Sequence, residues 1–487
     1  MSHQSHGMSG FDRFVEACLH GEALNSTDHV LPQVFGRLLN HNPLVWHGDE
    51  QVLLSVFGSL IDTLRLDDES GPADAGLTFF GQFIDHDVTF DVTSVIGRTI
   101  DPRRIRNIRT PNMDMDCVYG DGPEASPHLY TELEGHEGYL LFGRSDYHLD
   151  LARNAKGTAL IGDPRNDENI FVSQIQGAYI CLHNLILRQL HTNGPMASDI
   201  RDRSMAGTSN DLWSGNARIP VNDYQIARRF VQLHYQTHVM DDFLPGFVAQ
   251  NALYDAKEGA GYLSDAPLMP VEFSGACFRF GHATVRNRYQ LSPGSEISIF
   301  GHRGKRTAEH QMDMGLFFQS SHQPAQKARP VGLGVAEGLF ELPFIHDGLH
   351  LPNGTEVPVE LARKLPLRNI LRDRYALEIA SGQQAAAALD LPALPAPEVL
   401  ADAGITRTPM WFYALQEADA GGQGRLTGVG GRIVATTLIR ILQADPDSVW
   451  HAHGFEPLPE LARIGDCFAW VEENRVDLLG HADLLNG

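Results

Sequence analysis

The apolar residues of this chain recur at helical spacing and hardly ever alternate. Phe79, Phe80, Phe83, Ile84 and Val88 fall at i, i+3/i+4 intervals, as do Ile170, Ile175, Tyr179, Leu182, Ile186 and Leu190 in a longer run before His191 and Gly194. A chain patterned this way buries helix stripes rather than sheet faces, so the expected fold class is mainly α. Between the two runs lies a polar, Pro/Gly-rich segment, roughly residues 100–165, too long for a simple connection and of a size usually tied to function. Further boundaries are marked by LDLPALPAPEV (389–399) and by the glycine clusters 421–424 and 428–431. Neither cluster has the spacing of a phosphate cradle, so both read as turns and a helix start. Length alone, 487 residues, would allow two to four domains. With no internal repeat, the expectation is one large helical domain over 1–487 with long ordered loops and an N-terminal arm of about 1–30.

Composition narrows the function classes. A formal net charge of −23 argues against nucleic acid or an anionic membrane surface as the main partner. No run of 18 or more apolar residues occurs, so a membrane span is not expected. The opening MSHQSHGMSGFDRF lacks a basic stretch followed by an apolar one, so no secretory signal is expected and a cytoplasmic location is. The five cysteines, Cys18, Cys117, Cys181, Cys277 and Cys467, are scattered and form no CxxC pair, which disfavours a disulfide framework or a zinc ribbon.

Five segments carry chemistry. FGQFIDHDVTFD (80–91) puts Gln82, Asp85, His86 and Asp87 into an otherwise apolar helix, with Gln82 and His86 on one face. An acidic surface face with a satisfied histidine is the competing reading, but Phe80, Phe83, Ile84 and Phe90 point to burial, and buried carboxylates need cations or covalent partners. In RTPNMDMDCVYG (109–120), Thr110, Asn112, Asp114 and Asp116 alternate with small or apolar residues. An extended chain would turn their oxygens to one side, as suits Ca²⁺, with Asp87 as a natural extra ligand; a polar edge loop is the alternative. GDPRNDEN (162–169) holds Arg165 and Glu168 where loop becomes helix. ACFRFGHATVRNRY (276–289) puts His282 in an expected hydrophobic helix, beside Gly281 and one turn from Arg279. The glycine would let something flat approach the backbone, and the arginine suits an anionic group, although for this segment alone a core histidine is the better reading. Finally, LRNILRDR (367–374) places Asn369 and Arg372 one turn apart, an amide for a histidine nitrogen and a cation for a second anionic group.

Taken in order, these segments resemble the animal-type haem peroxidases of the peroxidase–cyclooxygenase superfamily, the group that includes lactoperoxidase and myeloperoxidase. GQxxDHD at 81–87, TPxxDxDxVYG at 110–120, GDxRxxE at 162–168, FRFGH at 278–282 and LxNIxR at 367–372 carry the likeness. Each motif alone is weak; five in order are specific. The resemblance implies a haem b cofactor and Ca²⁺, with His86 as distal histidine, Gln82 as its companion and Arg165 as distal arginine. It also implies that His282 is the iron ligand, Asn369 its hydrogen-bond partner, and Arg279 and Arg372 contacts to the haem propionates. Asp87, Thr110, Asn112 (by its carbonyl), Asp114 and Asp116 match Ca²⁺ ligands; Asp85 and Glu168 match positions that bond to haem as esters. The implied activity is reduction of hydrogen peroxide and oxidation of a small donor (halide, thiocyanate or phenol-like) through a ferryl intermediate.

Departures from the family pattern are specific. Asn169 replaces a methionine that elsewhere bonds to a haem vinyl group, so that linkage is excluded. Tyr375-Ala376-Leu377 replaces an acidic-His-Gly run, and Asp116 adds a carboxylate where a mammalian member has serine. The nearest relatives would be bacterial homologues lacking propeptide and signal. Three other readings compete. A fatty-acid dioxygenase of the cyclooxygenase branch would need a tyrosine three residues before the proximal histidine, where Arg279 stands. A haem-binding matrix protein without catalysis would not need His86 and Arg165. A thiolate-ligated monooxygenase would need a cysteine in a glycine-rich loop, and Cys277 has another setting.

Overall fold

Helical spacing produces helices where expected, in a computed structural model that describes residues 35–39, 46–89, 112–143, 150–209, 217–259, 269–475 and 478. Those that position the site are α1 (Glu50–Ile61), α2 (Ala75–Val88), α3 (Ile170–His191), α4 (Asp223–His238), the single turn α5 (Gly281–Thr284), α6 (Leu365–Leu371), α7 (Met410–Gly421) and α8 (Gly428–Ala444). Strands are few and short: among the described residues they form four two-stranded pairs, the longest being Arg288–Ser292 against Ser295–Ser298. The mainly α expectation therefore holds.

The organising element is α3. It opens where the Asn169 side chain accepts from the N–H groups of Phe171 and Val172, at 3.0 Å each, a cap contributing about 1 kcal/mol. Apolar nearly all round, it is enclosed nearly all round, with α2 and α4 packed against it. Among the described helices α3 alone is long and apolar enough to cross a membrane, but that apolar stretch is wholly buried inside the protein. It also buries Gln174, Gln176, His183 and Asn184, each of which needs a partner. In α2, Gly81 permits close packing: a Cβ there would lie 2.7 Å from a ring carbon of Phe243. The glycine clusters behave as expected, α7 ending at Gly421 and α8 starting at Gly428.

Two local expectations are corrected. His282 does not sit in a hydrophobic helix: Cys277–Phe280 form a 3₁₀ turn, α5 adds one α turn, and the chain is extended by Val285. Thr284 Oγ1 donates to Gly281 O at 2.9 Å, occupying the acceptor that a continuing helix would offer to Val285. Tyr289 consequently lies in a strand, not two turns down a helix. Nor is the Asp114–Asp116 ladder extended. Met115 adopts φ +58° and its carbonyl accepts from the N–H groups of Val118 and Tyr119, so the chain turns into a helical turn at Asp116.

Candidate active site

The motifs converge on a cavity of about 410 Å³. From α2 it receives Gln82, Asp85 and His86; from the α3 entrance, Glu168 and Asn169; from the α5 region, Arg279, Gly281 and His282. A smaller cavity of about 170 Å³ shares Asp85 and Arg279 with it and adds Arg165 and Arg372.

His86 is buried, and its Nδ1 lies 2.7 Å from Asn166 Oδ1. Its Nε2 lies 4.0 Å from Glu168 Oε1 at the cavity wall. Burial, then the positive charge of Arg165, push its pKa down to about 4 against the opposing pull of Asp85 and Asp163. Asn166 in turn donates to Gln176 Oε1 at 2.7 Å, and Gln176 Nε2 donates to Cys117 O at 3.3 Å.

Gln82 donates to Glu168 Oε1 and accepts from Asn169 Nδ2 at 3.1 Å, so the residue that caps α3 also fixes the Gln82 amide. Enclosure raises the Glu168 carboxyl above its ordinary value. Asp85 accepts from Thr89 Oγ1 at 3.1 Å.

Arg165 is placed behind His86 rather than beside it. Its guanidinium pairs with Asp163 at 2.8 Å and donates to the carbonyls of His86, at 3.1 Å, and of Thr89. It lines the smaller cavity, not the larger, and reaches the imidazole through its charge.

Opposite these groups, His282 lines the larger cavity with Nδ1 2.9 Å from the Asn369 amide. Burial, then Arg279 and Arg372, push its pKa down to about 3. A Cβ added to Gly281 would meet nothing within 4 Å, so the backbone beside His282 faces open space. Arg279 is steadied by Ser274 O at 3.1 Å, and its own carbonyl accepts from Trp411 Nε1 at 3.1 Å.

The acidic ladder also closes up. Asp87, Asp114 and Asp116 bring ligand oxygens within 4.8 Å of one another, with Asp87 and Asp114 buried. The turn at Met115 turns two of these carboxylates toward α2. Thr110 lies outside the described residues. Asn112 is half-buried at the start of the described loop.

Sequence reasoning missed Asn166, Gln176 and Asp163, and read Asn169 only as a missing methionine. It also missed the part of the cavity wall formed by Ile299, Phe300, Arg303, Leu339, Leu342 and Phe344, drawn from loops and a 3₁₀ turn without periodicity. Arg303 lies 4.6 Å from the centre of the Phe344 ring. No tyrosine occurs among the described residues lining either cavity. Tyr289 packs behind Phe79 at 5.3 Å between ring centres, and its oxygen accepts from Arg286 N–H at 2.8 Å. Cys277 is buried, which pushes its thiol well above the ordinary value and denies it thiolate character.

A family model described as animal haem peroxidase matches residues 93–328. That span contains Arg165 and His282 but stops short of His86 and Asn369 on either side. No curated protein matches the chain by sequence. Among solved structures, peroxidase A from Dictyostelium discoideum is similar over 92% of this chain and 93% of its own, with TM-score 0.58 and 14% identity. A fatty acid alpha-dioxygenase from Arabidopsis thaliana is similar over 93% of this chain and 78% of its own, with TM-score 0.55 and 15% identity. Its counterpart from Oryza sativa gives 93%, 81%, 0.55 and 16%. At such identities the likeness is one of fold, shared by enzymes of different activity.

Proposed function

We propose that this chain, which belongs to the animal haem peroxidase family, reduces hydrogen peroxide and oxidises a small donor such as a halide, thiocyanate or phenol. The observation that carries this choice is the absence of a phenol from the described cavity walls, with a guanidinium, Arg279, three residues before His282. A guanidinium cannot supply the radical that would abstract hydrogen from a fatty acid. Oxygenation of a fatty acid is the second reading, favoured by likeness to the two dioxygenases and by the apolar residues in the cavity wall, such as Phe247, Phe278, Leu339 and Leu342.

The residues present fit a haem. Gly281 leaves open space beside a histidine whose Nε2 remains available. Asn369 Nδ2 lies 2.9 Å from its Nδ1, and because an imidazole that gives Nε2 to iron keeps its hydrogen on Nδ1, the Asn369 amide would reverse to accept it through Oδ1. Arg279 and Arg372 would hold the propionates, and Asp85 and Glu168 are the carboxyls available for ester bonds. When bound, haem supplies the redox chemistry, accepting oxidising equivalents from peroxide and passing them to the donor. His86 Nε2 takes a proton from one peroxide oxygen and returns it to the other, so that water leaves. Arg165 acts through the imidazole, helping to keep it neutral and receptive. Gln82, held by Asn169 and Glu168, presents a fixed amide to the same space. A neutral Asn369, rather than a carboxylate, leaves the iron ligand less electron-rich, which suits oxidation of halide or thiocyanate.

The Ca²⁺ reading rests on three gathered carboxylates, whose mutual repulsion a divalent cation would relieve. Because Asp87 adjoins His86, exhaustive chelation is expected to lower the melting temperature by at least roughly 2 °C and turnover with it. If both stay unchanged on calorimetry and steady-state assay, the ion has no such role.

The ester reading rests on Asp85 and Glu168 at the cavity wall. After turnover with peroxide, acid–organic extraction should leave haem on the protein, and Asp85→Ala with Glu168→Ala should release it. Free haem from the treated parent protein would refute the bonds while sparing the peroxidase reading. The activity itself is tested by steady-state assay of the haem-loaded protein against halides, thiocyanate, phenols and a polyunsaturated fatty acid.

A further inference from the structure

We propose that Asn166 and Gln176 are positioning residues that lock His86 in a single tautomer, with hydrogen on Nδ1 and the lone pair of Nε2 turned to the cavity. The inference rests on the reading of His86 as the peroxide-cleaving base and supplies the reason that base is always correctly presented.

The far end of the chain of bonds sets the direction of the rest. Cys117 O is a backbone carbonyl and can only accept. Gln176 Nε2, 3.3 Å away, must therefore be the amide nitrogen, which turns Gln176 Oε1 toward Asn166. That oxygen accepts from Asn166 Nδ2 at 2.7 Å, which turns Asn166 Oδ1 toward His86. An amide oxygen only accepts, so the imidazole nitrogen 2.7 Å from it carries the hydrogen. Amide direction, which is otherwise a choice between two similar orientations, is here dictated by a group that cannot be reversed. Reversing either amide alone would set oxygen against oxygen or nitrogen against nitrogen in a buried row: Asn166, Gln176 and Cys117 are each 0% exposed.

The arrangement is particular to these two residues. Gln174, two residues earlier in the same apolar α3, is spent elsewhere, donating to Ile170 O and His310 O and accepting from Met312 N–H. Asn166 is fixed from its own backbone, its N–H donating to Asp163 O at 3.1 Å within the turn Pro164–Asp167. The same turn thus carries the arginine that charges the surroundings of His86 and the amide that orients it.

The test is ¹⁵N-histidine NMR of the haem-loaded protein in its diamagnetic ferrous–carbonyl form, with the His86 signals identified by their loss in His86→Gln. The parent should show one species, hydrogen on Nδ1. Gln176→Leu frees the Asn166 amide and should give a mixture of tautomers, with the rate of reaction with peroxide down on the order of tenfold or more. Gln176→Glu should restore the single tautomer, because a buried carboxyl is protonated, donates to Cys117 O and still accepts from Asn166. A parent protein with hydrogen on Nε2, or a Gln176→Leu protein that keeps one Nδ1–H species and full rate, overturns the proposal and leaves a merely structural bond. Should Gln176→Leu fail to fold, the parent and Gln176→Glu spectra decide alone. Because the tautomer is read without peroxide, failure of the lock is separate from failure of His86 as base, which would show as undiminished turnover in His86→Ala.

Discussion

His282→Ala is expected to lose stoichiometric haem binding, or to retain a haem whose spectrum reports a different axial ligand. The side chain is the imidazole that lines the cavity from the α5 side, with Nδ1 engaged by Asn369 at 2.9 Å and open space over Gly281 beside it. Arg279 and Arg372 would still attract the propionates, so weak association should persist while the iron loses its protein bond. The residue lines a cavity and is not packed in the core, so truncation leaves no new void and the polypeptide should fold with little change in melting temperature. Titration of the variant with haem, followed by absorbance, checks this. A variant with the parent's spectrum and stoichiometry would assign the iron to another residue.

His86→Ala carries the other large effect. With the base gone, peroxide-dependent oxidation of donors should fall by roughly 10²–10⁴-fold while haem binding and spectrum stay close to the parent's. The sign of the pH dependence follows from the same imidazole. Burial, then Arg165, lower its pKa to about 4, so the neutral, proton-accepting form persists through the mildly acidic range. The rate of reaction with peroxide should therefore hold down to about pH 5 and fall as pH drops through about 4, where imidazolium forms. In His86→Ala that limb should vanish. An acid limb surviving in the variant would assign it to another group.

Much of this was legible in the sequence because it depends on periodicity and short spacing. The runs ending at Val88 and Leu190 repeat every three or four residues and form α2 and α3. Gln82 with His86, and Arg165 with Glu168, are close enough in sequence for helix and turn geometry to gather them. The expectation for residues 276–289 failed where a side chain competed with the backbone, as Thr284 took the Gly281 carbonyl. The oxygen ladder was read as extended because alternation looks the same in a strand and in a turn with a left-handed Met115. The tautomer lock was not legible at all. The two buried glutamines of the apolar α3, Gln174 and Gln176, were its only trace, and which of them meets Asn166 depends on how α3 packs against the turn at Pro164–Asp167. The placement of Arg165 behind His86 likewise follows from its anchor on Asp163, whose role no spacing announces.

The central claim is peroxidase rather than dioxygenase chemistry, and an oxygen electrode with simultaneous peroxide assay tests it most directly. The haem-loaded protein is given hydrogen peroxide with thiocyanate or a phenol, and separately a polyunsaturated fatty acid under air. With no phenol among the described cavity walls and Arg279 three residues before His282, donor oxidation should track peroxide consumed, with no oxygen uptake on the fatty acid. Stoichiometric oxygen consumption with the fatty acid, yielding a defined hydroperoxide, would contradict the account.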